Sequence, residues 1–240
     1  MTPTGEAPAR GRLYAVGVRS LFAFLIVCLA APAIALAADT DPKRKIAAAD
    51  EAKAQSTVLK RTDLAAGWKK VAPSPDEDLT CPGFNPDGSD LTLTGDAEAN
   101  FQHTQGFPRI SSFTDVYISK GDALKSWART VKPALARCVA HFFREGIVEE
   151  GGTATIVKQG RVAFPKLAPR TDAFRVVASV TVEQPGQEAV KIPFTIHLIA
   201  LGQGRAEAGL LTMGFGTGVP NADLRAFAKA IAARLAATKL

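Results

Sequence analysis

The chain has 240 residues, of which 47% are hydrophobic and 22% are charged, and its formal net charge is +6. This balance is too apolar for general disorder and is typical of a folded domain. The basic residues are scattered along the chain and do not alternate with aromatic residues. The composition therefore argues against a nucleic-acid-binding surface.

Residues 1–37 have the pattern of a signal peptide. Three arginines precede an uncharged apolar run over 21–38, and the run ends in small residues that suit cleavage between Ala37 and Ala38. An uncleaved membrane anchor is the alternative, because about 18 apolar residues reach the lower length limit of a bilayer-spanning helix. We predict a secreted or cell-envelope protein that has no stable membrane span once the leader is cleaved.

The cysteine count supports export. Removal of the leader takes away Cys28 and leaves two cysteines, Cys81 and Cys138, together with 26 basic and 22 acidic residues and a net charge of +4. Two cysteines in an oxidising compartment predict one disulfide between Cys81 and Cys138. Two buried free thiols are the alternative.

The first half of the mature chain predicts one helix, a long loop region and one strand. Residues 38–60 are Ala-rich with a thin apolar face, which predicts an N-terminal helix that docks loosely on a single domain, 61–240. The segment 73–95 is rich in proline, glycine and acidic residues, and this composition predicts a loop. We predict a further loop over 101–109 and a strand over 110–119, where β-branched and aromatic residues are frequent.

The segment 120–146 is the longest amphipathic stretch. Its apolar residues recur at steps of three and four, which predicts a long central helix that is kinked or divided at Pro133. The hydrophobic period then changes to two over 171–183, 190–201 and 205–215. This change predicts an antiparallel three-stranded meander near the C-terminus.

The remaining elements complete an α+β prediction. Short strands are predicted at 153–157 and 161–164, and an apolar stripe over 224–235 predicts a C-terminal helix. We expect an antiparallel sheet that packs against the central and the C-terminal helix.

No catalytic motif is present in the sequence. It has no G-x-S-x-G, Walker, H-E-x-x-H or C-x-x-C motif, and the glycine-rich 214–218 follows a predicted antiparallel meander rather than a parallel strand. A calcium loop that began at Asn85 would need glycine at its sixth position and glutamate at its twelfth, and the sequence has neither there. His103, His141 and His197 cannot be matched with a carboxylate or a metal from sequence alone. We predict no metal, no cofactor and no enzymatic activity.

Four segments carry a resemblance to known exported proteins: DLAAGW at 63–68, CPGF at 81–84, SFTDVYIS at 112–119 and ALKSWARTVKPALARC at 123–138. Their order, between a leader and a final meander and helix, resembles actinobacterial exported proteins. It is also similar to the extracellular sensor domain of mycobacterial serine/threonine kinases and the related small lipoproteins, whose fold belongs to the Mog1 and PsbP group. The resemblance implies an α+β sandwich with a groove between sheet and helices.

These observations favour an exported, non-enzymatic binding or sensor-like domain. We predict that its ligand lies between the meander and the central helix, near Trp127 and Phe142. An envelope structural or protein-interaction module is the first alternative. An exported hydrolase is the second, since catalytic triads are assembled in space and leave no fixed sequence pattern. The partner is an unknown envelope ligand or protein.

Overall fold

The structure is a computed structural model that describes residues 40–72, 79–182 and 189–240. The predicted leader and its cleavage site at Ala37 and Ala38 lie outside the described residues. Within the described ranges, no helix is both long and apolar enough to cross a lipid bilayer.

The described part of the chain forms eight strands and four helices. In chain order these are β1 (Lys43–Arg44), α1 (Ala48–Thr57), β2 (Trp68–Val71), β3 (Thr92–His103), β4 (Arg109–Tyr117), α2 (Lys120–Thr130), α3 (Pro133–Glu149), β5 (Thr153–Arg161), β6 (Arg170–Val182), β7 (Val190–Gln203), β8 (Ala206–Phe215) and α4 (Asn221–Ala237). A short 3-10 turn, Arg61–Asp63, follows α1.

All eight strands belong to one sheet, in the order β1, β3, β4, β8, β7, β6, β5, and β2 also pairs with β3. The pair β1 and β3 is parallel, with Lys43 opposite Thr92, whereas the other pairs are antiparallel. The α+β class is confirmed. The predicted antiparallel arrangement holds for the described pairs other than β1 with β3, where the chain runs in the same direction as β3. Strands β5 to β8 pair in chain order, so the meander predicted for three strands also contains β5.

The predicted central helix is two helices. Helix α2 ends at Thr130, and α3 begins at Pro133. A proline lacks the amide N–H that a helix interior needs, yet it suits the first position of a new helix. The prediction of one long helix is therefore wrong, while the alternative of a division at Pro133 is confirmed. Helix α2 contacts β4 and β8, and α3 packs mainly on β5 and β6.

Helices cover both faces of the sheet. Helices α1 and α4 share one face, where α1 packs on β3 and β4, and α4 packs on β7 and β8. The core on this face includes Ala54, Leu59, Phe101, Leu201 and Ile231. Helices α2 and α3 lie on the opposite face, where Ala140 and Ile147 pack against Val176 and Ile196. Successive residues of β6 and β7 therefore point to opposite faces of the sheet and pack into two separate cores, as the hydrophobic period of two predicts.

Helix α1 is part of the main core. Ala54 and Thr57 have no exposed surface, so the predicted loose docking of the N-terminal helix is wrong. Asp50 accepts hydrogen bonds from Arg205 Nη1 at 2.7 Å and Nη2 at 2.5 Å, and from Thr94 Oγ1 at 2.7 Å. Arg205 lies in the turn between β7 and β8, so this bidentate ion pair connects α1 to a distant part of the sheet. The hydrogen bonds from Arg205 hold the pKa of Asp50 below its usual value.

Cys81 and Cys138 lie at disulfide distance, with their Cα atoms 5.6 Å apart. Cys81 belongs to a turn in which it exchanges two backbone hydrogen bonds with Phe84. Phe84 is buried against Leu135 and Cys138 of α3. The cysteine pair therefore connects the CPGF turn to the helix, and it closes a loop of 57 positions.

We predict that Asp50→Ala lowers the free energy of unfolding by about 3 kcal/mol, because the substitution leaves the Arg205 guanidinium partly buried without its partner. Urea unfolding measures this change. The control is Glu145→Ala, which removes an exposed ion pair with Arg144 and should cost less than about 1 kcal/mol. Equal effects of the two substitutions would contradict the proposed role of Asp50.

We predict that reduction of the disulfide lowers the free energy of unfolding by up to about 4 kcal/mol, the chain-entropy value for a loop of this length. The measurement is urea unfolding with and without a phosphine reductant. The double variant Cys81→Ser, Cys138→Ser should not respond to the reductant. An unchanged wild-type curve would show that the two thiols are not bonded in solution.

Candidate functional site

An open groove of about 470 Å³ lies between the C-terminal end of α1 and β3. This volume is within the range of small-molecule and peptide sites. The groove results from a gap at the outer edge of the sheet. Strand β1 pairs with β3 only as far as Leu93, and β2 pairs with it only from Asn100. Among the described residues, no strand pairs with the outer edge of β3 from Gly95 to Ala99, and we call this segment the free edge.

Helix α1 can lie against this part of β3 because Gly95 has no side chain. A Cβ atom at this position would stand about 2.5 Å from the backbone of Asp50, a distance that real Cβ atoms do not adopt. The glycine therefore allows the helix to approach the strand closely. The helix ends beside the free edge, and its last residues form one wall of the groove.

The free edge presents backbone hydrogen-bonding groups to the groove. The Thr104 N–H donates to Gly67 O at 2.7 Å on the outer side, while the His103 N–H donates to Pro108 O at 3.0 Å on the side of β4. Successive residues of a strand direct these groups to opposite sides. By this alternation, the N–H and C=O of Asp96 and of Glu98 face the free edge, and Glu98 is the one of the two that lines the groove.

The lining of the groove combines apolar side chains with positive charge. Its apolar residues are Val58, Leu59, Ala97, Ala99 and Phe101. Lys60, Arg61 and Lys70 are exposed at its rim.

Glu98 also lines the groove, but its carboxylate is engaged on the opposite face of the sheet. There it accepts hydrogen bonds from Asn100 Nδ2 at 2.8 Å and Ser111 Oγ at 3.0 Å. The carboxylate therefore does not neutralise the three cations at the rim.

A row of three carboxylates crosses the other face of the sheet. Asp115 on β4 lies opposite Asp96 on β3 and opposite Glu207 on β8, and we call these residues the acidic row. Glu207 accepts a hydrogen bond from Ser126 Oγ of α2 at 3.0 Å, and the Tyr117 hydroxyl lies 2.7 Å from the same Ser126 oxygen. The row is thus covered in part by α2.

Arg170 reaches the acidic row from β6. Its guanidinium lies across Gly202, where a Cβ would collide with it, and its Nη2 is 4.0 Å from Glu207 Oε1. The guanidinium also stands 5.5 Å from the centroid of the Trp127 ring. Trp127, predicted as a ligand residue, therefore packs over an arginine at the end of this row.

Burial changes the acidity of the row. Burial, assisted by the charge of Asp96, raises the pKa of Asp115 to about 7. Burial also raises the pKa of Glu207 to about 7, and the Ser126 hydrogen bond and the Arg170 charge only partly offset it. Neighbouring carboxyl groups whose pKa values lie near neutrality are typical of functional sites, although structural networks produce them as well.

The predicted location between α3 and the meander has little free space. A void lined by Ala136, Val139 and Phe174, among others, lies there and has no room for a water molecule. Phe142 packs from α3 against the cluster that contains Cys138 and Phe84. The structure thus places Trp127 beside the acidic row and Phe142 beside the disulfide, and their role in ligand binding stays a prediction.

The histidines lie in three separate environments. His103 stacks edge-on against Trp68, with ring centroids 5.7 Å apart, and His141 lies 3.8 Å from Glu145 on α3. Burial, and then the charge of Arg175, lower the pKa of His197. Within the described ranges, no group of three His, Cys, Asp or Glu side chains is arranged to hold a metal ion.

Neither the groove nor the acidic row was predicted from the sequence. The period of two in Ala97, Ala99 and Phe101 was a signal for β3, but it is weak because two of these residues are alanine. No model of a known protein family matches the chain, and no curated protein matches it significantly. The resemblance to exported sensor domains stays a prediction.

The raised pKa values of the acidic row predict that the protein loses stability as the pH rises from about 5 to 7. Because folding raises the pKa of Glu207 from 4.5 to about 7, the native state binds more protons than the unfolded chain between these values. We expect Glu207 alone to lower the free energy of unfolding by on the order of 2 kcal/mol from pH 5 to pH 8. Asp115, whose pKa is also raised to about 7, should add to this fall, and urea unfolding measures it.

Glu207→Gln should weaken this pH dependence, since the amide does not titrate and can still accept the Ser126 hydrogen bond. Glu149→Gln, at an exposed position of α3, is the matched control and should keep the wild-type slope. A Glu207→Gln variant with the full slope would contradict the assignment.

Proposed function

We propose that the protein is an exported, non-enzymatic binding domain that holds its ligand in the groove between α1 and β3. The observation that carries this proposal is the groove itself, where three exposed cations and unpaired backbone groups lie around a floor of mostly buried apolar side chains. An apolar cavity with a few converging polar groups is the usual form of a ligand site. The cysteine pair at disulfide distance is compatible with an extracytoplasmic location.

The position of the acidic row favours binding over hydrolysis. Asp115 and Glu207 are suited to proton transfer near neutral pH, but their side chains lie on the face of the sheet opposite the groove. A ligand in the groove would therefore not contact them. General acid and base groups must lie within hydrogen-bonding reach of the reacting atoms.

The free edge favours a second candidate, a protein-interaction module of the cell envelope. An exposed strand edge can pair with an extended segment of a partner protein. The two candidates predict bound components of different mass. A mass spectrum of the intact complex distinguishes a metabolite, lipid or glycan from a polypeptide.

We predict that native mass spectrometry of the protein from the exported fraction of its host detects a bound component that is lost on denaturation. Ala97→Phe should abolish this component, because the added ring fills the groove. Val157→Phe adds the same ring at an exposed position of β5 and should retain it.

Trp127→Leu separates the proposed groove from the location predicted near Trp127 and Phe142. The proposal expects this variant to retain the bound component. Loss of the component in Trp127→Leu but not in Ala97→Phe would contradict the groove. A wild-type protein without any bound component would contradict the binding function in this form.

A further inference from the structure

We infer that the groove binds an extended acidic peptide, which adds a short strand to the free edge of β3 at Glu98. This inference rests on the proposed binding function and takes the polypeptide of its second candidate as the ligand. The backbone groups at the free edge, the length of that edge and the charge around it support this choice.

The backbone groups call for an extended polypeptide. The N–H and C=O of Glu98 face the gap between β1 and β2, as the alternation of hydrogen bonds along β3 shows. A strand placed in this gap would accept one hydrogen bond and donate another, which is how peptides add to exposed sheet edges.

The flanking strands limit the length of the peptide. Strand β1 pairs as far as Leu93, the Ala47 N–H donates to Thr94 O, and β2 ends at Val71 opposite Asn100, so the free edge contains the five residues Gly95 to Ala99. At roughly 3.3 Å per residue this edge spans about 16 Å. A peptide that pairs there with about five residues would fill the gap without displacing either neighbour.

The charge around the groove selects an acidic sequence. Lys60 and Arg61 lie beyond the end of α1, and Lys70 lies on the face of β2 that Phe101 shares, which is the face of the groove. None of these cations takes part in an ion pair among the described residues. Carboxylates on alternate residues of the added strand would meet this positive rim, whereas a basic peptide would be repelled.

The test uses a fluorescein-labelled, N-acetylated pentapeptide of alternating Glu and Val residues, with fluorescence anisotropy as the readout. We expect saturable binding that weakens as salt increases. The matched peptide of alternating Lys and Val residues should not bind. The double variant Lys60→Glu, Lys70→Glu should lower the affinity at least about tenfold.

Glu98→Pro tests the backbone pairing. The Glu98 N–H faces the free edge, so a proline here removes the donor to the peptide and leaves the bonds between β3 and β4 in place. We expect a loss of affinity of roughly tenfold. Glu98→Ala removes the same carboxylate but keeps the N–H, so the difference in affinity between Glu98→Ala and Glu98→Pro isolates the backbone donor. Thermal unfolding of both variants shows whether the fold is preserved. If Glu98→Pro is unfolded, hydrogen exchange of the wild-type Glu98 amide decides the question, because strand addition by the peptide must protect it and a lack of protection would exclude strand addition.

Several results would overturn the inference. Equal binding of the Glu and Lys peptides would exclude charge selection, and wild-type affinity in a folded Glu98→Pro variant would exclude strand addition. If the acidic peptide failed to bind while Ala97→Phe still abolished the native bound component, the ligand class would be wrong and the binding function would stand.

Discussion

The structure depends on the bidentate ion pair between Asp50 and Arg205, which holds α1 on the sheet. Asp50 is 8% exposed, and its oxygens accept hydrogen bonds from Arg205 and from Thr94 of β3. A second bidentate pair, Arg234 with Asp63, connects the turn after α1 to α4. These contacts fix both ends of the segment that forms the wall of the groove. Because a buried carboxylate without its partner is costly, α1 has little freedom to move across the free edge.

The groove and the acidic row show how the two faces of one sheet acquire different roles. On the face of α1, small residues at Gly95, Ala97 and Ala99 let the helix approach β3 and leave a cavity where the helix ends. On the opposite face, Asp115 and Glu207 lie partly beneath α2, and burial raises the pKa of both groups. The groove proposed for ligand binding and the carboxylates with raised pKa values therefore involve separate side chains, which lie on opposite faces of β3 and its neighbouring strands.

The sequence predicted the elements whose signals are local. The period of two located β6, β7 and β8 to within two residues at each end, and Pro133 marked the start of α3. Strand β3 was missed because TLTGDAEANFQH has few β-branched residues. Its glycine and alanines have low strand propensity, and they occur here because α1 packs closely against this strand. The groove could not be predicted, because it depends on where β1 and β2 stop pairing with β3, a strand that lies about 30 to 50 residues further along the chain. The acidic row depends in the same way on the register of three strands.

The most direct measurement is hydrogen exchange of individual backbone amides along β3. The alternation of hydrogen bonds makes opposite predictions for neighbouring residues, so one experiment contains its own control. In the free protein, the Glu98 amide should exchange rapidly and the Ala97 amide, bonded to β4, should exchange slowly. On addition of the component recovered from the exported fraction, protection should appear at Glu98 and leave Ala97 unchanged. A Glu98 amide that is already as protected as Ala97 in the free protein would mean that the edge is covered, and it would contradict the account of the groove as a ligand site.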